Sequence, residues 1–125
     1  MKGHTSKGLR IALLVYTIYW VVFGLLHVVS PEMMRAKDPA IERVLGAAFL
    51  VFALGAGLAY LERAWERVKI AVLVQVAWMI LYTITMAWGI LVGGITVDAW
   101  PPTIIGAVFA ALLTTLYIRE ERIIR

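Results

Sequence analysis

Four long apolar stretches, separated by short clusters of charge, set the pattern of this chain. No Asp, Glu, Lys or Arg occurs in residues 11–31, 44–61, 70–97 or 99–118. Each window reaches about 18 residues or more, the length at which an uncharged apolar run crosses a bilayer as a helix. A buried soluble helix would need amphipathic partners to cover it, and no such segments are left over. The pattern predicts one all-α domain over residues 1–125, an integral membrane antiparallel four-helix bundle. Its spans are expected at about 11–29, 44–61, 70–92 and 102–118.

The connections carry turn and cap residues. Ser30-Pro31-Glu32 and Asp38-Pro39-Ala40 each place a capping side chain before a proline suited to a first helical turn. A short interfacial helix at about 31–37 is expected on the outer side, with Asp38 capping the second span. Trp100-Pro101-Pro102 opens the fourth span in the same manner. The segment LERAWERVK (61–69) reads as the helix-prone ends of spans 2 and 3, joined in a tight hairpin.

Composition agrees with the pattern. The chain is 62% hydrophobic and only 16% charged, against roughly a quarter charged in soluble domains. Cysteine is absent, which excludes disulfides, thiolate metal sites and thiol catalysis. The first window follows Lys2, Lys7 and Arg10, as a signal peptide would. It is too long for one and runs into Ser30-Pro31-Glu32, not a cleavage site, so it reads as a retained anchor.

Charge then orients the chain. With four spans, both termini share a side with the loop between spans 2 and 3. That side holds Lys2, Lys7, Arg10, Arg63, Arg67, Lys69, Arg119, Arg122 and Arg125, nine of the twelve basic residues. Only Arg35, Lys37 and Arg43 fall opposite. Basic residues accumulate in the cytoplasm, so a multi-pass protein of the cell (inner) membrane with both termini cytoplasmic is expected. Trp88 and Trp100 would mark the outer boundary, and Tyr60, Trp65 and Tyr117 the inner one. The net charge of +4 is thus explained by topology, and no nucleic-acid partner is implied.

Helices associate in lipid through small residues and interhelical hydrogen bonds. Candidate seams are Ala53-x3-Gly57, Gly55-x3-Ala59, Gly89-x3-Gly93, Gly106-x3-Ala110 and Ala107-x3-Ala111. They suit packing within the bundle, or equally a homodimer or partner-subunit interface. Helical spacing puts Tyr16, Trp20, Phe23 and His27 on one stripe of span 1, and Glu42, Gly46, Phe49, Ala53, Ala56 and Tyr60 on one of span 2. Span 3 aligns Gln75, Trp78, Tyr82, Thr85 and Gly89, with Met79 and Met86 alongside. Span 4 aligns Gly106, Ala110, Thr114 and Tyr117. Converging, these faces make either an ordinary core with its polar groups paired or a pocket for an apolar molecule.

One histidine stands out in YTIYWVVFGLLHVV (16–29). His27 lies seventeen residues beyond Arg10, roughly 25 Å at about 1.5 Å per residue. That places it near the outer boundary, where Glu32 or Glu42 could pair with it and make it responsive to outside pH. Gln75 sits about two turns into span 3 from the inner side. Bis-histidine haem ligation would need a second histidine at that depth, and His4 lies at the opposite end, which leaves a dimer sharing His27 or a methionine as second ligand. Zinc and copper want three or four ligands, which no cluster here supplies. No span contains an acidic or basic residue of the kind that couples ions to transport. No nucleophile elbow, P-loop or HExxH occurs.

The stretch RVLGAAFLVFALGAGLAYL (43–61), with Arg43, Gly46 and more loosely Gly55, resembles the DoxX-like small four-helix membrane proteins. The resemblance implies a four-helix bundle found beside redox systems such as quinone-linked oxidoreductases, and it carries over no catalytic residue. The expected function is non-enzymatic binding of a hydrophobic ligand or a partner membrane subunit through an aromatic interior. His27, Glu42 and Arg43 would form an outer mouth above Tyr16, Trp20, Phe23, Gln75, Trp78 and Tyr82. A quinone- or haem-binding redox subunit and a small transporter are the alternatives.

Overall fold

A computed structural model describes residues 4–30, 39–93 and 99–124. Among them are four helices, α1 (Lys7–Val29), α2 (Pro39–Leu61), α3 (Trp65–Leu91) and α4 (Trp100–Ile124). Each is long and apolar enough to cross a membrane, the signature of a multi-pass membrane protein. The expected interfacial helix at 31–37, the cap Asp38 and the partner Glu32 lie outside the described residues.

Local chemistry sets the helix ends. Ser6 caps α1, its hydroxyl accepting from the Leu9 N–H at 3.2 Å. The Ser6 N–H donates to the Glu120 carboxylate at 3.1 Å, so the end of α4 holds the start of α1. Proline at the start of α2 lacks an N–H that the first turn would leave unpaired, and Glu42 suits the positive end of the helix dipole. α3 stops at Gly93, whose φ of +80° is the left-handed conformation that closes a helix. Among the described residues none lies within 4 Å of where a Gly93 side chain would begin, so its place here is the end of α3. Between α2 and α3, Glu62 accepts from the Arg63 and Ala64 N–H groups. Those backbone bonds hold its carboxyl below the usual carboxylate range.

α1 packs closely along α2, and α3 along α4, while α2–α3 and α1–α4 approach less extensively. The tightest crossing is glycine on glycine. A Cβ on Gly46 would lie 2.8 Å from the Gly24 carbonyl oxygen and 2.6 Å from His27 Cβ. At the other end of this pair Gly57 faces the Thr17 methyl, and in the second pair Gly106 receives Tyr82 and Thr83. Side chains fill the interior, with Tyr16, Trp20, Phe49, Met79 and Leu113 at 0–1% exposure. Outward, Ile18, Val22, Leu54, Leu58, Leu81 and Ile84 are exposed, the reverse of a soluble protein.

Several expected faces shift. The buried stripe of α3 runs through Val68, Val72, Met79 and Tyr82, so Thr85, turned well off that centre, is exposed. In α4 the interior is Thr103, Phe109, Leu113, Leu116 and Glu120, and Ala107 and Ala111 are exposed. Trp65, expected at the inner boundary, is 1% exposed: it packs on Tyr117 and donates to Glu121 at 2.7 Å. His4 bridges Ala64, and the Thr5 N–H donates to the Arg63 carbonyl at 2.8 Å. The chain's start, the 62–64 turn and the end of α4 therefore meet at one end of the molecule.

The Gly24–Gly46 crossing leaves no room for a methyl. Gly46→Ala gains about 1 kcal/mol of helix propensity yet should destabilise by about 1–3 kcal/mol through overpacking. Gly57→Ala, with 3.4 Å to its neighbour, should be neutral or stabilising. Thermal unfolding in detergent by circular dichroism ranks them, and Gly46→Ala at or above wild type contradicts the crossing.

Candidate functional site

The interior joins two polar features through a layer of rings. At one end, the His27 Nδ1–H donates to the Phe23 carbonyl, one turn back, at 2.7 Å. Since a carbonyl only accepts, Nδ1 carries the hydrogen. Nε2 then faces Glu42 Oε2 at 3.5 Å. A bare Nε2 and a carboxylate are both acceptors, so the contact is attractive only when the pair holds one further proton. His27 is 5% exposed. Arg43 is exposed and turns its Nε to the Val28 carbonyl at 3.3 Å, tying α2 to the end of α1.

From His27 the rings run inward. Phe23 lies 4.4 Å and Phe49 5.1 Å from the imidazole, centre to centre. Trp20 meets Phe49 at 4.6 Å and Tyr82 at 5.3 Å, and Trp78 at 6.4 Å. Trp78 is stacked on Phe52 at 4.3 Å and 8°, across the sparser α2–α3 seam. Phe109 of α4 closes the layer against Tyr16 at 5.1 Å. Beyond it the Tyr16 hydroxyl donates to Gln75 Oε1 at 2.6 Å, with both residues buried. The Gln75 amide fits there because Gly55 offers no side chain: a Cβ would lie 3.0 Å from Nε2.

Eight of the expected site residues thus converge, namely Tyr16, Trp20, Phe23, His27, Glu42, Gln75, Trp78 and Tyr82. Arg43 stands apart as a backbone tie. Sequence reasoning left Phe52 and Phe109 out of the interior. Phe109 is three residues past Gly106, the turn on which Tyr82 rests, and that spacing could have placed it. Three polar atoms around the layer are buried without a hydrogen-bond partner: Trp20 Nε1, Trp78 Nε1 and Glu42 Oε2. Each unmade bond costs about 1–3 kcal/mol. An indole N–H can only donate, so what would complete these two is an oxygen acceptor.

The haem alternative fits less well. Both His27 nitrogens already face oxygen acceptors, and an iron would have to displace Glu42 from Nε2. Among the described residues no three His, Cys, Asp or Glu side chains converge as a metal-binding group. No protein-family model, curated protein or solved structure matches the chain.

The Tyr16–Gln75 bond joins α1 to α3 across the interior. Tyr16→Phe should cost about 0.6 kcal/mol, the average for interhelical hydrogen bonds in lipid, and at most about 1.7 kcal/mol. Tyr16→Phe combined with Gln75→Leu, which removes both partners, should recover part of the loss in the same unfolding assay. Strict additivity of the two changes would show that the bond is not made.

Proposed function

We propose that this chain binds an apolar small molecule bearing hydrogen-bond acceptors, held within the aromatic layer between the α1–α2 and α3–α4 pairs. The observation that carries the reading is the pair of buried indole N–H groups, Trp20 Nε1 and Trp78 Nε1, with no partner. In a medium without water such donors stay costly until an acceptor arrives. The sparser α2–α3 seam, shielded by the Trp78–Phe52 stack, is the lateral way in from the bilayer. A quinone suits the same donors, because its carbonyl oxygens are acceptors on an apolar ring. That chemistry agrees with the redox association that the DoxX-like resemblance implies.

The proposal includes a topology. The four helices form an antiparallel bundle in the cell (inner) membrane, with both termini cytoplasmic and the His27–Glu42 end outside. The clustering of the chain's start, the 62–64 turn and the end of α4 supports one shared side for these segments. The excess of Lys and Arg there supports the cytoplasm as that side.

Mild-detergent purification followed by native mass spectrometry and organic extraction tests the binding. Wild type should carry a lipid-soluble compound. Trp20→Phe and Trp78→Phe, which keep a ring and lose the N–H, should each retain about tenfold less, the equivalent of one hydrogen bond. Unchanged retention in both variants, or copurification of a protein subunit in place of a small molecule, sinks the reading. For topology, the cysteine-free chain accepts a single reporter. Ala36→Cys should be labelled from outside the cell, and labelling from the cytoplasm alone would reverse the orientation.

A further inference from the structure

A second face of the molecule has features that the aromatic interior does not use. Along the outside of α1 and α2 runs an apolar groove of about 510 Å3, lined by Thr17, Val21, Leu50, Leu54, Gly57 and Tyr60 among others. Even Thr17 presents no polar group to it. Its hydroxyl donates back to the Leu13 carbonyl at 2.7 Å, and its methyl faces Gly57. From Leu50 to Leu61 the groove follows α2 for roughly 16 Å at about 1.5 Å per residue, the reach of a dozen-carbon chain.

A cation lies beside one groove residue. The Arg10 guanidinium sits 4.9 Å above the ring of Tyr60, itself a groove residue. Arg10 Nε is buried and has no hydrogen-bond partner. Lys7 and Arg63, both exposed, belong to the same end of the molecule. An apolar trough of acyl-chain length, with an incompletely bonded guanidinium over its residue Tyr60 and other cations near, complements an amphipathic anion. Basic pockets between helices on the cytoplasmic side recognise anionic lipid headgroups on the same grounds.

The geometry points to a binding site for an anionic glycerophospholipid, with one acyl chain in the α1–α2 groove and the phosphate at Arg10. The site rests on reading the helices as membrane-spanning, because the chain reaches the groove sideways from the bilayer. It is independent of the interior ligand, since the rings of Trp20 and Trp78 do not line it.

The purified full chain, delipidated in detergent, is incubated with phosphatidylglycerol or phosphatidylcholine of identical acyl chains and read by native mass spectrometry. Wild type should retain phosphatidylglycerol in preference. Arg10→Gln should lower that retention about tenfold, the scale of one charge-assisted hydrogen bond, and leave phosphatidylcholine unchanged. Arg10→Lys should keep the preference for the anionic lipid. Leu54→Trp, at a position 63% exposed, should fill the groove and reduce both lipids. Equal retention of the two lipids by wild type, or an undiminished preference in Arg10→Gln, overturns the site. Displacement of the lipid by glycerol phosphate alone would assign Arg10 to a free anion, and a dimer that forms as lipid is removed would assign the groove to a second copy. Either result overturns the proposal. Alkaline carbonate washing of wild-type membranes checks the spanning reading separately: release of the chain fails that reading, whereas retention with no lipid preference fails only the site.

Discussion

The close approach of Gly24 and Gly46 governs the rest of this molecule. Lipid tails are as apolar as leucine, so helices gain by letting backbones meet where side chains are missing. With the Gly24 carbonyl pressed on Gly46, His27 has its Cβ on the same glycine. Glu42, one turn before Gly46, then falls beside the imidazole. Phe49, nearly one turn after it, falls under the rings of Phe23, Trp20 and His27. The same crossing carries Gly57 to Thr17 and shapes the outer groove above Arg10.

A second constraint acts on every polar atom inside: without water, each needs an internal partner. Thr17 and Thr103 meet it by bonding back to Leu13 and Ala99. Tyr16 and Gln75 meet it across the interior. His27 meets it at Nδ1 through the Phe23 carbonyl, with Nε2 facing Glu42. The two indoles do not, although Trp20 is fully buried and Trp78 packs against it. That contrast motivates the ligand reading, because a packed ring with an unmet N–H is a site with its apolar part complete and one polar contact outstanding.

The spans were plain in the sequence because charge is excluded from hydrocarbon, so the charge-free windows coincide with α1 to α4 to within a turn or two. The inner faces of α1 and α2 were equally readable: Tyr16, Trp20, Phe23 and His27 meet Gly46, Phe49, Ala53 and Ala56 as spacing requires. α3 and α4 were less so, since apolar residues on all sides leave periodicity little contrast, and the stripe through Thr85 drifted outward. Small-residue patterns were legible in part: Gly55, Gly57 and Gly106 do receive neighbouring helices, whereas Gly93 ends a helix, Ala107 and Ala111 face outward, and the decisive Gly24 belongs to no such motif. Glu120 and the inward packing of Trp65 were hidden by position, beside basic residues at a helix end: Glu120 holds the start of α1 to α4, and Trp65 joins α3 to α4. Arg43 and Gly46 serve packing, one as a tie to Val28 and the other as the seat of His27.

The register set by the two glycines is read most directly at His27 by nitrogen-15 NMR. The chain has two histidines, so labelling histidine in a His4→Gln background isolates one imidazole. At neutral pH its Nδ1 should carry hydrogen and be coupled to the Phe23 carbonyl, and the Nε2 resonance should move when Glu42→Gln is introduced. A bare Nδ1 with the hydrogen on Nε2, or an Nε2 signal indifferent to Glu42→Gln, would contradict the crossing on which the interior is built.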